Sequence, residues 1–423
     1  MNQKTPRKPG PRIEIASRNV MIDQKPNIWV RGFVPHSRVV ITTETIDEKG
    51  VHWRGETSYI LNTQGCLEIA AAESEGEKVE EKDPWEIFDS MRPVDTQKGP
   101  VPLFARRTAD PIHIEIHATA PNGDSAQSSL HLCFFDKATT IREKVQEDNL
   151  QGIFFCPKGD GPHPVVICVG GSDGWFTEAR PALLASHGIA TFSVAYFGGK
   201  PLPETLSEVP LEFFDRAVDW LNDYPAVDTA RLGIYGYSKG GELALLLASR
   251  DERIRAVAAY SPSSVVWQSP NAGAPKSSWS EGGAPLPFLP MHFSGMKILK
   301  IMSGRPVAFR EPYAQGMAKH PEKAEEARIP VEKIAGPVFL VSGTEDGVWP
   351  SSEMADSIET TLKETGRDVT HLKYSGAGHL TALPGLPAPE VFDNLIFGGT
   401  SKISSRALED AWQKMVAFFT EKL

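Results

Sequence analysis

The stretch that most constrains this chain is Arg231-Leu-Gly-Ile-Tyr-Gly-Tyr-Ser238-Lys-Gly-Gly-Glu242. Leu232 to Tyr235 has the apolar, β-favouring character of a short buried strand, and Glu242-Leu-Ala-Leu-Leu-Leu-Ala248 is helix-forming. Between them, Gly236-Tyr-Ser-Lys-Gly240 fits G-x-S-x-G, the strained strand-to-helix turn that lifts a serine hydroxyl above a sheet edge. Gly236 and Gly240 have no Cβ, so strand and helix can approach closely around that turn. The start of the helix adds unpaired N–H groups and a partial positive charge. A small residue in an ordinary turn is the alternative, but the flanking strand and helix favour a nucleophilic Ser238.

The rest of the chain is consistent with an α/β domain around this turn. After residue 141, apolar strand-like runs alternate with helical stretches, the pattern of a parallel sheet covered by helices. The runs are Pro164 to Val169, Ile189 to Tyr196, Ile254 to Tyr260, Pro337 to Ser342 and Thr370 to Tyr374. Helical spacing is expected at Ala179–Ala185, Leu211–Leu221 and Ser352–Glu364, with a closing helix from about Ser405 capped by Ser404 or Ser405. Residues 11–140 read instead as short β-branched or alternating strands separated by turns such as Asp47–Gly50 and Pro121–Asp124, an immunoglobulin-like β-sandwich. The expected domains are therefore 11–140 and 141–423. Within the second, Pro, Gly and Ser crowd the stretch 264–335, which is expected to be an irregular, lid-like insertion because its apolar residues include Phe288, Leu289, Met291, Phe293 and Met296.

Composition narrows the function. A net charge of −10 over 423 residues argues against general binding to nucleic acid or an anionic membrane. Cys66, Cys133, Cys156 and Cys168 are scattered, and the last two sit in apolar runs, so free buried thiols and a reducing, cytoplasmic compartment are expected. The basic start, Met1 to Gly10, lacks the apolar region of a secretory signal, and no run reaches membrane-spanning length. Glu421-Lys-Leu423 only loosely matches a peroxisomal address. No metal-ligand spacing occurs among Cys and His; His113, His117 and His131 read as strand-surface residues, and Glu73 to Asp83 as an exposed loop.

A serine nucleophile needs a base, a carboxylate to orient that base, and donors for the oxyanion. His379, in the glycine-bounded loop Ser375-Gly-Ala-Gly-His379 after a late strand, is the candidate base; His371, at a strand start, reads as structural. Asp346, at the end of Gly343-Thr-Glu-Asp346, is the candidate acid, with Glu345 as its rival. The order Ser238, Asp346, His379 is that of α/β-hydrolases. The oxyanion donors would be the N–H of Lys239 and that of Gly171 or Ser172, from the loop Gly170-Gly-Ser-Asp-Gly-Trp175. That loop lacks both the G-x-G-x-x-G spacing and a P-loop lysine, which argues against a nucleotide cradle. The Lys239 side chain is expected to be solvated and is given no role.

Taken together, these residues resemble the family that joins acyl-CoA thioesterases with bile acid-CoA:amino acid N-acyltransferases. The resemblance spans nearly the whole chain. It is carried by Gly170 to Trp175, Leu184-Ala-Ser-His-Gly-Ile-Ala-Thr191, Gly236 to Gly241, Gly343 to Asp346, Gly376 to Leu380 and Ala411 to Phe419. Val30-Arg-Gly-Phe-Val-Pro35 and Pro84 to Pro93 are similar to its N-terminal β-sandwich, while 264–335 departs from its pattern. The family's amino-acid conjugating members carry cysteine as nucleophile, so Ser238 implies hydrolysis. The resemblance implies a small acyl thioester or ester substrate, no metal and no redox cofactor; monomer and homodimer stay open. A carboxylesterase of dienelactone-hydrolase type, or a specialised acyltransferase, is the alternative enzyme reading. A silent binding protein on the same architecture is disfavoured by the intact Ser238, Asp346 and His379.

Overall fold

The computed structural model describes residues 10–69, 85–96, 99–147, 149–172, 176–271 and 273–423. The basic start, the charged run Glu73 to Asp83, and residues 173–175 of the glycine loop lie outside them. The chain divides into two compact units. One holds residues up to 106, 110–134 and the short return 385–387; the other holds 107–109, 135–384 and 388–423.

The first unit is β-rich. Its six-stranded sheet runs in the order Asn19–Met21, Ser125–Cys133, Ile112–Thr119, Arg38–Ile46, His52–Ile60, Arg92–Pro93. A three-stranded sheet is formed by Arg12–Ile15, Ile28–Arg31 and Leu67–Ile69. The turns expected at Asp47–Gly50 and Pro121–Asp124 do close hairpins. Along Ile112–Thr119, Ile112, Ile114, Ile116 and Ala118 are buried while their neighbours face outward, the period-two pattern of a sheet with one dry face. Trp53 is wholly buried and its indole N–H donates to Asp47 Oδ2 at 3.1 Å, which also stitches the hairpin turn.

The second unit is built on eight strands: β1 Thr140–Glu147, β2 Leu150–Pro157, β3 His163–Val169, β4 Ala190–Ala195, β5 Val227–Tyr237, β6 Ile254–Tyr260, β7 Val338–Gly343 and β8 Val369–Tyr374. Their spatial order is β1-β2-β4-β3-β5-β6-β7-β8. The pairs β1–β2 and β2–β4 are antiparallel and all later pairs parallel. The near-continuous apolar runs of β3, β4 and β7 have the physical reason expected of a sheet covered on both faces. The covering helices are α1 Ala179–Ala185, α2 Phe213–Asn222 and α3 Lys239–Arg250, then α4 Gly295–Met302, α5 Arg310–Lys319 and α6 Pro321–Glu326 in the insertion, and finally α7 Ser351–Glu364 and α8 Ser401–Lys422. This is the α/β-hydrolase fold.

Two expectations need correction. The stretch 264–335 is not irregular. It carries α4 to α6 and a strand Trp279–Glu281 paired with Val209–Pro210, and its Val265, Trp267, Leu289, Tyr313 and Ala327 form a small core with Trp349 and Met354 that follow it. Its elements are too short to print a periodicity through the Pro and Gly between them. The closing helix begins at Ser401, capped by Thr400, whose hydroxyl accepts from the Ile403 N–H. Ser404 and Ser405 lie inside that helix, and their hydroxyls accept from Gly378 N at 3.0 Å and Ala388 N at 2.9 Å.

Candidate active site

The loops at the carboxyl ends of β3, β5, β7 and β8 supply the site, the edge at which open α/β sheets place ligands. After β5 the chain reverses through Ser238 at φ 55°, ψ −126°, a backbone that β-carbon residues rarely adopt. The neighbouring glycines make that reversal possible. A Cβ on Gly236 would stand 2.0 Å from the Gly240 carbonyl oxygen, and one on Gly240 would stand 2.3 Å from that of Gly170. The turn is held on one side by Ser238 N donating to Tyr260 O at 2.9 Å. On the other it opens α3, where Glu242 N donates to Ser238 O at 3.1 Å.

His379 Nε2 lies 2.9 Å from Ser238 Oγ, and His379 Nδ1 lies 2.8 Å from Asp346 Oδ2. Asp346 is wholly buried and richly solvated by protein donors. Val348 N and Trp349 N donate to Oδ1 at 2.9 and 3.2 Å, and the Ser351 hydroxyl donates to Oδ2 at 2.6 Å. The imidazole is gripped edge-on by Trp349 and Phe397, at ring distances of 5.9 and 5.3 Å. Its backbone N–H donates to Phe397 O at 2.9 Å. Glu345 is exposed, so Asp346 and not its neighbour meets His379. His371 sits below, its side chain buried between Ser342 Oγ and Glu359.

Gly171 lies against Ser238, its ideal Cβ position 3.4 Å from Ser238 Cβ, and Ser172 beside it is exposed. The hydroxyl of buried Tyr196 reaches the carbonyl oxygens of both Gly170 and Gly171, at 2.7 and 3.0 Å. Because each peptide is trans, drawing these carbonyls toward Tyr196 turns the N–H groups of Gly171 and Ser172 the opposite way. The Lys239 N–H, at the first turn of α3, has no acceptor within its helix. Sequence reasoning missed Tyr196, Ser351, Trp349 and Ser404, none of which belongs to a motif.

The Lys239 side chain is a further correction. It is 3% exposed rather than solvated, with Nζ 2.6 Å from Glu242 Oε1, which is itself wholly buried. Trp279 Nε1 donates to the same oxygen at 2.8 Å, and Lys239 Nζ also reaches Trp267 O at 3.3 Å. Burial pulls the lysine's pKa down and the glutamate's up, with their mutual attraction opposing both. The sequence could have flagged this pair, since i,i+3 spacing places both side chains on one face of α3.

Cys156 and Cys168 are buried and free, and burial raises the Cys156 thiol to about 11 and shifts the Cys168 thiol in the same direction, which disfavours the reactive thiolate in both. Among the described residues, two groups of carboxylates and imidazole come close enough to share a cation, Glu44–Glu115–His117 and Asp356–Glu359–His371. In both, lysine or arginine already compensates the acids: Arg54 on Glu44, Lys373 on Asp356 and Lys363 on Glu359. No helix among the described residues is long and apolar enough to cross a membrane.

Comparison with known proteins agrees with this architecture. Residues 209–423 match the model of the BAAT / acyl-CoA thioester hydrolase C-terminal region, and residues 23–147 that of the acyl-CoA thioester hydrolase/BAAT N-terminal region. Acyl-coenzyme A thioesterase 6 of Homo sapiens is 27% identical over 95% of this chain and 94% of its own. A Mus musculus protein named peroxisomal succinyl-coenzyme A thioesterase is 27% identical over the same shares, 95% and 94%. Among solved structures, a putative dienelactone hydrolase from Klebsiella pneumoniae is 18% identical with a TM-score of 0.42, covering 66% of this chain and 98% of its own. With both regions matched and the C-terminal one alone, residues 209–423, covering half its length, the chain belongs to the acyl-CoA thioester hydrolase/BAAT family.

Proposed function

We propose that this protein hydrolyses acyl-CoA thioesters to a free acid and CoA, with Ser238 as nucleophile, His379 as general base and acid, and Asp346 as its orienting partner. The observation that carries the reading is the unbroken line from Ser238 Oγ to His379 Nε2 (2.9 Å) and from His379 Nδ1 to Asp346 Oδ2 (2.8 Å).

Each step follows from that line. His379 Nε2 takes the hydroxyl proton as Ser238 Oγ attacks the thioester carbonyl carbon. Asp346 keeps the Nδ1 proton in place and stabilises the imidazolium; it does not itself take the proton. The oxyanion develops toward the N–H groups of Lys239 and of Gly171 or Ser172, donors already fixed by α3 and by Tyr196. His379 returns its proton to the departing CoA sulfur, leaving an acyl-ester on Ser238 Oγ. Water then enters, His379 takes its proton, and the tetrahedral intermediate collapses to the acid with the proton restored to Ser238. No metal or redox cofactor enters these steps. Serine rather than cysteine favours water over an amine as the second acceptor. Carboxylesterase activity of dienelactone-hydrolase type is the competing reading, because the same line would attack an oxygen ester.

Thiol release from acyl-CoAs of increasing chain length, run beside aryl esters, tests the proposal. CoA release that vanishes in Ser238→Ala is expected. Ester turnover without CoA release would replace the reading by a carboxylesterase, and full CoA release in Ser238→Ala would remove the serine from it.

A further inference from the structure

The insertion contains an element that the hydrolytic site does not use. Helix α4, Gly-Met-Lys-Ile-Leu-Lys-Ile-Met, buries none of its residues. Met296, Leu299 and Met302 are 81%, 69% and 78% exposed, and Ile298 and Ile301 are 46% and 40% exposed. These are five of the eleven large apolar side chains exposed on the described residues, gathered in about two turns of helix. Scattered exposed apolar residues need no explanation, but a contiguous patch does.

The helix has a fixed orientation. Its N-terminus is capped by Ser294, whose hydroxyl accepts from Lys297 N at 3.3 Å. Lys297 turns back toward the unit, where Nζ pairs with Glu311 at 3.0 Å and donates to Ala308 O at 3.2 Å. The flanks are tied down as well: His292 N donates to Pro312 O, and Val307 N to Asn394 O at 2.8 Å. At 100° per residue, the face opposite Lys297 is the one carrying Met296, Leu299 and Met302. The apolar stripe therefore points away from the unit that anchors the helix.

Charge says what covers that stripe. Although the chain carries a net charge of −10, residues 291–306 contain no Asp or Glu and hold Lys297, Lys300 and Arg305. Lys300 and Arg305 are exposed and have no ion-pair partner among the described residues. An outward apolar stripe bordered by unpaired cations matches the two layers of a lipid surface, acyl chains beneath an anionic headgroup plane. We propose that α4 with its flanks at 291–306 is a docking element for an anionic lipid surface, with Met296, Leu299 and Met302 entering the acyl boundary and Lys300 and Arg305 at the headgroups. Eight residues give a shallow, reversible attachment rather than an anchor. Such an element would bring the protein to the surface where long-chain amphiphiles accumulate, but the inference stands whatever the site hydrolyses.

Co-sedimentation of the full-length protein with vesicles tests it, using phosphatidylcholine alone and phosphatidylcholine with roughly 30% phosphatidylserine. The wild type is expected to prefer the anionic vesicles and to lose that preference as salt rises. Leu299→Glu with Met302→Glu should lower the partition coefficient on the order of tenfold. Lys300→Glu with Arg305→Glu should abolish the preference for phosphatidylserine while sparing weak binding to phosphatidylcholine. All four side chains are exposed, so unchanged circular dichroism and thermal midpoint are expected of both variants. No sedimentation of the wild type with either vesicle, or equal binding by the variants, overturns the proposal. So does a self-association that Leu299→Glu with Met302→Glu disrupts without vesicle binding, which would assign the stripe to a second copy. Loss of turnover on dissolved long-chain acyl-CoA without vesicle binding would assign it to the substrate's own chain.

Discussion

Removing one member of the buried pair behind Ser238 should destabilise the protein more than removing both. Glu242 is wholly buried and its Oε1 accepts from Lys239 Nζ at 2.6 Å and Trp279 Nε1 at 2.8 Å. Glu242→Ala would leave an ammonium in a 3% exposed site beside the Trp267 carbonyl and the Trp279 ring face, with no other carboxylate paired to it among the described residues. Breaking a buried ion pair from one side costs about 3–5 kcal/mol, a large part of the 5–15 kcal/mol typical of a folded domain. Lys239→Met would strand the carboxylate at a similar cost, softened by protonation because burial already raises its pKa. The double variant Lys239→Met with Glu242→Leu strands neither charge. It leaves the Trp279 N–H unpaired, at about 1–3 kcal/mol. Urea unfolding of the three variants, followed by tryptophan fluorescence and by pulse proteolysis, should place the double variant above Glu242→Ala in stability, with non-additivity of about 3 kcal/mol or more. A Glu242→Ala protein within about 1 kcal/mol of wild type, or strictly additive losses, would refute the argument that this pair is a dry, mutually dependent lock.

Tyr196→Phe should lower kcat with little effect on KM, about tenfold, because the Gly170 and Gly171 carbonyls lose the hydroxyl that orients the opposing N–H groups; an unchanged kcat would show the loop holds itself. Gly236→Ala should not yield soluble folded protein, since its Cβ would stand 2.0 Å from the Gly240 carbonyl oxygen, a contact that only backbone movement relieves. Stability should hold from neutral pH down to about 4.5 and decline below it. Hydrogen bonds from Arg328 to Glu332 and from Lys363 to Glu359 hold both carboxyls below their ordinary value of 4.5, so the stability they confer is present above that value and is lost as pH falls through the folded pKa values. Thermal midpoints against pH check this, and Glu332→Gln should flatten the acid limb.

What the sequence shows plainly is what local chemistry demands. The Ser238 turn was legible because its glycines answer a steric need within five residues, and the α/β-hydrolase fold because β3, β4 and β7 are buried on both faces and so print unbroken apolar runs. Asp346 and His379 were legible only as strand-end loops after β7 and β8, and the distances joining them to Ser238 come from the order of strands in the sheet. The groups that hold those residues in place left no comparable trace. Ser404 is an ordinary helix residue until α8 lays it against Gly378, and Ser351 is an ordinary first-turn serine until its hydroxyl meets Asp346.

Lys239 and Glu242 show why such support is misread rather than merely unseen. A lysine at the exposed-looking start of a helix is solvated unless another segment covers it. Here the cover comes from Trp267 and Trp279, in the stretch that its prolines and glycines made look structureless. The same segment continues through rings: Trp267 packs on Tyr313 at 4.7 Å, Tyr313 on Trp349 at 5.7 Å, and Trp349 on His379 at 5.9 Å. The insertion thus touches Lys239 directly through Trp267 and Trp279, and reaches His379 only by way of Trp349, which follows β7. Its short elements are held by what they bury rather than by their own periodicity, and α4, which buries nothing, is the exception that calls for a surface outside the unit.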